Sequence, residues 1–541
     1  MFEKGRDVFK NGFRGVRSTV AGRGRLRFVY GLFTGAFILF AGRTLMLGIQ
    51  GTDRTRMRGA DGEWTVQRAD IVDRNGDILA KNVESGHIML RPGQIRNIDA
   101  AAAAIHDALP YEYSVADALR LIQAGRFTYL KKYASDTARE KIKKAKIAGL
   151  EIEPVQTRRY PKRRLFSHVI GFVGDDGHGL EGAERNYDEY LAQNSDSLQL
   201  SVDSRIQSVF YEQLSIAMGK YQAKAAMGML MNSRTGEIVA MVSLPDFDPE
   251  NISLDPVANR TVRPMRFLAE MGSIFKIFNT ALAFENGIEK EYLVTEPFKI
   301  LDKFGRVAHT VNEARGFKPP RPKITPDEIM QMSSNRGSAQ IALDLPEGAQ
   351  KEFFERLHLD KPLNLEFGRT ERTLLPIKWG PVERATVAFG HGISVTPMHL
   401  MLAVNAVTNG GFYIYPTLKK RGVGAIQGER VISSEVSERL RQNMLHVVED
   451  TSGRAARIAG IEIGGKTGTA EKRDARGRPD KGRNQTAFVG IFPVSAPQYT
   501  ILIILDEPNG TKETWGLKTA AWNAVPTAGN ILNSILPLLF E

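Results

Sequence analysis

The sequence predicts an α+β fold in which a C-terminal domain over residues 200–541 stands on an elongated pedestal over 50–199, with one transmembrane helix at 28–49 behind a basic tail at 1–27. Three observations predict it. Helical and strand patterns mix from about residue 200 to the end, the signature of an α+β domain. The character of the chain changes after Asn194, where charged helical and basic segments give way to apolar strand-length runs. An apolar stretch from Phe28 to Ile49 follows a tail rich in Lys and Arg.

The tail holds Lys4, Arg6, Lys10, Arg14, Arg17, Arg23, Arg25 and Arg27 against only Glu3 and Asp7. The stretch that follows has the length of a membrane-crossing helix, about 20 residues, and is broken only by Arg43, which lies near its end and can snorkel to the interface. Positive charge before the span places the tail in the cytoplasm and the rest outside, so the expected location is the inner membrane, single-pass, with the large domain in the periplasm. A cleaved secretory signal is the alternative. Ala41-Gly42-Arg43 is a poor small-x-small cleavage site, which favours a retained anchor. Later apolar runs such as Ile501 to Leu505 are strand length.

In the pedestal, Asp73 to Gly76 is turn chemistry between two extended segments and predicts a hairpin. Ala101 to Lys146 reads as helical, interrupted by Pro110. The basic cluster Arg158, Arg159, Lys162, Arg163 and Arg164 reads as a solvated face, or else as a contact for acidic polymer or lipid headgroups. Beyond Asn194, a helix is expected from Asp203 to Lys220 and a hairpin from Met227–Met231 and Glu237–Val242. Thr486–Phe492 and Tyr499–Leu505 form a further expected strand pair.

Composition removes several function classes. The chain has no Cys, so a cysteine nucleophile, thiolate metal sites and disulfides are excluded. With 42% apolar and 25% charged residues it reads as globular, not disordered. The net charge of +12 suits an anionic partner such as lipid or acidic wall polymer. No finger spacing or basic-aromatic module points to nucleic acid.

Three short signals carry chemistry. In Met271-Gly272-Ser273-Ile274-Phe275-Lys276, Ser273 and Lys276 stand three apart at the start of an amphipathic run to Glu285, with Ile274, Phe278 and Leu282 on one face. A serine hydroxyl needs a base to take its proton, and a lysine can serve if burial or a nearby cation lowers its pKa. The Ser-x-x-Lys pair alone occurs by chance about twice in such a chain. The second signal is Thr325-Pro326-Asp327-Glu328, a strong helix start that runs through Met332 and delivers Ser333-Ser334-Asn335. An Arg336-Gly337 turn is expected to separate it from a helix over Ser338–Leu343. A hydroxyl and an amide there can relay a proton and hold a substrate carbonyl or amide. Third is Gly464-Gly465-Lys466-Thr467-Gly468-Thr469-Ala470. With Gly460 it formally satisfies the phosphate-loop pattern, but a charged loop rather than a long helix is expected from Ala470 to Asn484. An edge strand fits better, with Lys466 for charge, Thr467 and Thr469 for hydroxyls, and Gly468 leaving room for a ligand backbone.

Taken together, in this order, Ser273, Lys276, Ser333, Asn335 and Lys466-Thr467-Gly468 resemble the class B penicillin-binding proteins, the monofunctional peptidoglycan transpeptidases. Arg68 to Gly76 resembles their membrane-proximal motif, and Gly179 to Tyr187 the motif that couples pedestal to catalytic domain. Thr235–Met241, Gly390–Pro397 and residues 465–470 resemble their catalytic domain. Ser-Ser-Asn at 333–335 is similar to the division-specific branch. Two departures stand out: Ala69 where the family usually has Gly, and Met271 where it usually has Pro.

The resemblance implies the penicillin-binding transpeptidase fold, an antiparallel sheet flanked by helices plus a helical subdomain, on a dimerisation-like pedestal. It implies D,D-transpeptidation of stem peptides in septal wall synthesis through a Ser273 acyl-enzyme, with covalent inhibition by β-lactams. Lys276 would take the Ser273 proton and Ser333 would relay it to the departing D-Ala. Asn335 would orient the peptide, and Lys466, Thr467, Gly468 and Thr469 would receive the terminal carboxylate. The backbone N–H groups of Ser273 and Thr469 would form the oxyanion hole. No cofactor or metal is implied. The implied partners are stem peptides, β-lactams, a membrane-embedded glycan polymerase, divisome proteins and the bilayer through 28–49. A carboxypeptidase or β-lactamase of the same fold, a β-lactam sensor and a non-catalytic division scaffold are the alternatives.

Overall fold

The computed structural model describes residues 68–422, 428–473 and 479–540, and before them only Thr34, Gly35, Phe37, Ile38 and Ala41, which are helical. Residues 67–541 form one compact unit. The expected transmembrane helix at 28–49 is not borne out. No helix among the described residues is long and apolar enough to cross a membrane. Most of 28–49 lies outside the described residues. The apolar helix Ala524–Leu539 has 16 residues, contains Pro537 and packs on a sheet. The inner-membrane location and the bilayer contact, which rested on that span, are corrected with it.

The centre of the fold is a five-stranded antiparallel sheet in the order Gly464–Arg473, Pro479–Phe492, Tyr499–Asp506, Ala225–Asn232, Ile238–Leu244. Both faces are buried around residues 225–231, 238–244, 487–492 and 499–505, which is why those stretches read as apolar runs. Met227, Met229, Val489, Ile491, Leu502 and Ile504 point into one core, while Ala226, Leu230, Phe488, Ile501, Ile503 and Leu505 point into another. The second core is closed by the helices Ser204–Lys220 and Ala524–Leu539 through Phe210, Leu214, Ile531 and Ile535. The first is closed by Lys276–Glu285 and Pro397–Thr408 through Phe278, Leu282, Met398 and Leu402. The expected hairpin at 227–242 and the strand pair at 486–505 are both present, and the sheet joins them side by side by pairing Tyr499–Asp506 with Ala225–Asn232. The first strand runs on to Arg473 and the second begins at Pro479, where a long loop was expected.

In the pedestal, the predicted helical stretch divides into Ile98–Ala108, Val115–Gln123 and Asp136–Ala145, with a strand, Thr128–Lys131, between the last two. That strand and Leu150–Arg159 flank the long strand Ile78–Leu90. The turn at Asp73–Gly76 does more than close a hairpin. Asp73 is fully buried and accepts hydrogen bonds from the N–H groups of Asn75, Asp77 and Ser204, so it ties the turn to the start of the helix Ser204–Lys220.

The basic cluster is ion-paired, and apart from Arg158 its side chains remain 36–52% exposed. Arg159 and Arg163 pair with Glu250, Arg164 with Asp246 and Asp255, and Lys162 with Asp77. Arg158 is buried. It shares Glu184 with Arg68, at 2.7 and 2.6 Å, and donates to the carbonyl oxygens of Arg68 and Ala69. Asp188 takes the far side of Arg68 at 2.7 Å. Removing one member of such a cluster strands the others without compensation. Glu184→Ala is therefore expected to destabilise the chain by about 3–5 kcal/mol, read as a lower urea midpoint with an unchanged slope.

Candidate active site

Ser273 sits on a single tight turn, Gly272–Phe275, that leads into the helix Lys276–Glu285. Every residue of that helix from Lys276 to Phe284 is buried, so it is a core helix and not the amphipathic one its sequence first resembles. Gly272 has a φ of +53°, and a Cβ there would lie 2.6 Å from the carbonyl oxygen of Thr469. A Cβ at Gly468 would meet the carbonyl oxygen of Met271 at 2.4 Å. Two glycines thus let the Ser273 turn and the edge strand Gly464–Arg473 touch backbone to backbone, which brings the Ser273 and Thr469 segments together.

The Lys276 Nζ lies 2.9 Å from Ser273 Oγ, 2.7 Å from the Ser333 carbonyl oxygen, 2.7 Å from Asn335 Oδ1 and 3.2 Å from Ser333 Oγ. Its side chain is wholly buried. Burial, and then the charge of Lys466, hold its pKa well below the ordinary lysine value, partly opposed by Glu313. A neutral amine has two N–H donors and one lone pair. The Ser333 carbonyl and Asn335 Oδ1 can only accept, so they take the two donors and leave the lone pair for the Ser273 hydroxyl proton. Asn335 Nδ2 donates to the carbonyl oxygen of Asn312 at 3.2 Å, which fixes which end of the amide faces Lys276.

Ser333 caps the helix Pro326–Met332 in the left-handed region, φ +62°. The capping box of Thr325 and Glu328 starts that helix. Ser333 Oγ stands between the two lysines, 3.2 Å from Lys276 Nζ and 3.0 Å from Lys466 Nζ. Lys466 is also fully buried, and desolvation lowers its pKa to about 7. The expected Arg336-Gly337 turn is absent. The next helix begins at Asn335 with Ser334 as its cap, and Gly337 is needed because a Cβ there would lie 2.4 Å from Ile329.

The structure therefore brings Ser273, Lys276, Ser333, Asn335 and Lys466 within hydrogen-bond reach of one another. Thr467 and Thr469 stand on the neighbouring strand and bond elsewhere, Thr467 Oγ1 to Ser452 Oγ at 2.9 Å and Thr469 Oγ1 to the Ala520 N–H at 3.1 Å. Beyond Thr469 a cleft of about 520 Å³ opens along Ala470–Lys472, walled by Phe267, Glu270 and Leu374. Sequence reasoning missed Ser452, Glu270 and Glu313. None lies in a recognisable motif; Glu270 directly precedes the 271–276 stretch, while Ser452 and Glu313 are brought in by packing between distant segments.

A hydroxyl poised on a buried amine beside a strand edge is arranged for covalent acyl transfer, and the class this defines is that of the serine acyl-transferases. Comparison narrows it. Residues 226–531 match the penicillin binding protein transpeptidase domain and residues 63–213 the penicillin-binding protein dimerisation domain. The chain belongs to the penicillin-binding protein transpeptidases, on the division-specific class B branch, and is a serine-type enzyme of that family. A probable peptidoglycan D,D-transpeptidase FtsI of Caulobacter vibrioides is 32% identical over 95% of this chain and 88% of that protein. The peptidoglycan D,D-transpeptidase FtsI of Escherichia coli K12 is 29% identical over 87% and 84%. Among solved structures, penicillin binding protein 3 of Mycobacterium tuberculosis in complex with aztreonam shares the fold, with a TM-score of 0.65 and 21% identity over 87% of this chain and 96% of that one.

The contact at Gly272 gives a direct test of the packing. Gly272→Ala is expected to cost about 1–3 kcal/mol through backbone strain and to slow penicillin acylation, read together by thermal melting and by the rate of fluorescent penicillin labelling.

Proposed function

We propose that the chain cross-links peptidoglycan stem peptides ending in D-Ala-D-Ala during septal wall synthesis, with Ser273 as nucleophile and Lys276 as its base. The observation that carries this reading is the Lys276 amine, wholly buried and 2.9 Å from Ser273 Oγ. The Ser273 proton passes to Lys276 as Oγ adds to the penultimate carbonyl, and the negative charge gathers on the carbonyl oxygen beside the amides of Ser273 and Thr469. Collapse of the adduct breaks the peptide bond. The departing D-Ala nitrogen takes its proton by way of Ser333, which bridges Lys276 and Lys466. Lys466, Thr467 and Thr469 receive the terminal carboxylate, Gly468 admits the peptide backbone and Asn335 orients its amide. An amine of a neighbouring stem then attacks the ester, loses a proton to Lys276 and frees Ser273.

The expected partners are a glycan polymerase, since the chain carries no polymerase motif of its own, and other division proteins. The division of the chain into a pedestal over 50–199 and a transpeptidase domain over 200–541 is part of the same proposal. It is supported by Leu198–Gln199, which pairs with the pedestal strand Ile71–Val72, and by Asp203, which caps the next helix.

The test is mass spectrometry of the intact chain with a donor thioester and an acceptor amine, followed by peptide mapping. The expected result is an acyl adduct on Ser273 and a product that requires the amine. An adduct elsewhere, or release of hydrolysed donor alone whatever the amine concentration, overturns the reading.

A further inference from the structure

The segment that follows the small hairpin Phe298–Leu301/Val307–Val311 ends against the catalytic turn. Glu313 Oε2 accepts from the Asn335 N–H at 2.7 Å, and Oε1 accepts from the Arg336 N–H at 3.0 Å and from the hydroxyl of the fully buried Ser334. One residue earlier, the Asn312 carbonyl accepts from Asn335 Nδ2. Two consecutive residues therefore hold Asn335 at its backbone and at its side-chain amide, and the remaining atom, Oδ1, is left facing Lys276 Nζ at 2.7 Å. Ser334 caps the same helix by accepting from the Gly337 N–H, so the carboxylate occupies the N–H groups that the cap does not reach.

The geometry points to Glu313 as a positioning residue for acylation: it locks the Ser333–Asn335 turn and, through Asn335, sets the direction of the Lys276 amine toward Ser273. This rests on the reading of Ser273 and Lys276 given above. A carboxylate offers two oxygens to three donors and also a negative charge that acts on Lys276 against Lys466. Two charged groups act on the Lys276 amine, Lys466 from the edge strand and Glu313 from the loop, with opposite signs.

That opposition separates positioning from simple support of the fold. Glu313→Gln keeps the volume but turns one acceptor into a donor facing backbone N–H groups. The plateau rate of fluorescent penicillin acylation by the intact chain is expected to fall about 10²-fold, the scale of a small misplacement of a catalytic group, at temperatures where the variant, whatever its loss of Tm, is still fully folded. At the same time the acidic limb of the pH profile should move to lower pH, because loss of the negative charge makes the Lys276 ammonium easier to deprotonate. A loosened site that admits water would move the limb the other way. Glu313→Asp keeps the charge and draws it back by one bond, about 1.5 Å, so its plateau should fall while its limb stays in place. The inference is overturned if Glu313→Gln leaves the rate unchanged, if its limb stays or rises, or if its rate falls only in step with Tm. Should that variant not fold, Glu313→Asp with a wild-type plateau overturns it equally. Ser273→Ala run alongside keeps the two readings apart, since label retained there defeats the nucleophile assignment and says nothing of Glu313.

Discussion

Replacing Ser273 by alanine is expected to abolish covalent penicillin labelling and cross-link formation, a loss on the order of 10⁴-fold or more in acylation rate. The structure gives this variant a clean interpretation. The turn Gly272–Phe275 is held by its backbone and by contact with Thr469, not by the Ser273 hydroxyl. Lys276 keeps three acceptors, the Ser333 carbonyl, Ser333 Oγ and Asn335 Oδ1. The melting temperature should therefore stay near that of the parent chain while the adduct disappears from the intact mass. An unshifted mass with undiminished turnover would require another nucleophile, and none of the described neighbours of Lys276 offers one in a similar position except Ser333.

Lys276→Met should produce the second large effect. Methionine fills the space of the lysine stem and removes the base, so acylation should fall by about 10²–10⁴-fold. The same substitution reports on the buried charge. Lys276 has a folded-state pKa well below its unfolded value of 10.5. Between those two values the unfolded chain binds a proton that the folded chain does not, so this group makes stability rise as pH rises through that window. Below the lowered pKa both states are protonated and the folded state bears the full cost of burial, about 1.4 kcal/mol for each unit of depression. Lys276→Met should lack that part of the rise. Urea denaturation of both chains at neutral and alkaline pH measures it, and parallel slopes would mean that Lys276 is not desolvated.

Local patterns in the sequence foretold local structure well. The capping box at Thr325 and Glu328 gives the helix Pro326–Met332, and the alternating runs around Gly236 give a hairpin. The three short signals around Ser273, Ser333 and Lys466 lie together in the fold. What the sequence could not show were the choices made by distant partners. Nothing near Tyr499 says that it pairs with Asn232, and nothing near Arg163 or Arg164 says that Glu250, Asp246 and Asp255 will neutralise the cluster. Gly337 looks like a turn residue until Ile329 is packed on it. Glu313 precedes Asn335 by 22 positions with no motif between, and only the path of the chain after the hairpin brings it to the helix start. The anchor expected at 28–49 was argued from hydropathy and flanking charge alone, and no helix among the described residues meets the length and apolarity it called for.

The order of the sheet, which joins N-terminal to C-terminal strands, bears on when the site is completed during synthesis of the chain. Ser333 and Lys466 are 133 positions apart, and Met271 meets Gln485 across 214. A chain still emerging in N-to-C order therefore carries Ser273 for a long interval without the edge strand that faces it. Through that interval Ser333 has no Lys466 beside it and the Ser273 turn has no Thr469 backbone against it, so the site is incomplete. Such long-range closure is slow, and it makes penicillin binding a reporter of completed folding: a stalled or truncated chain that stops short of the edge strand would be blind to the drug.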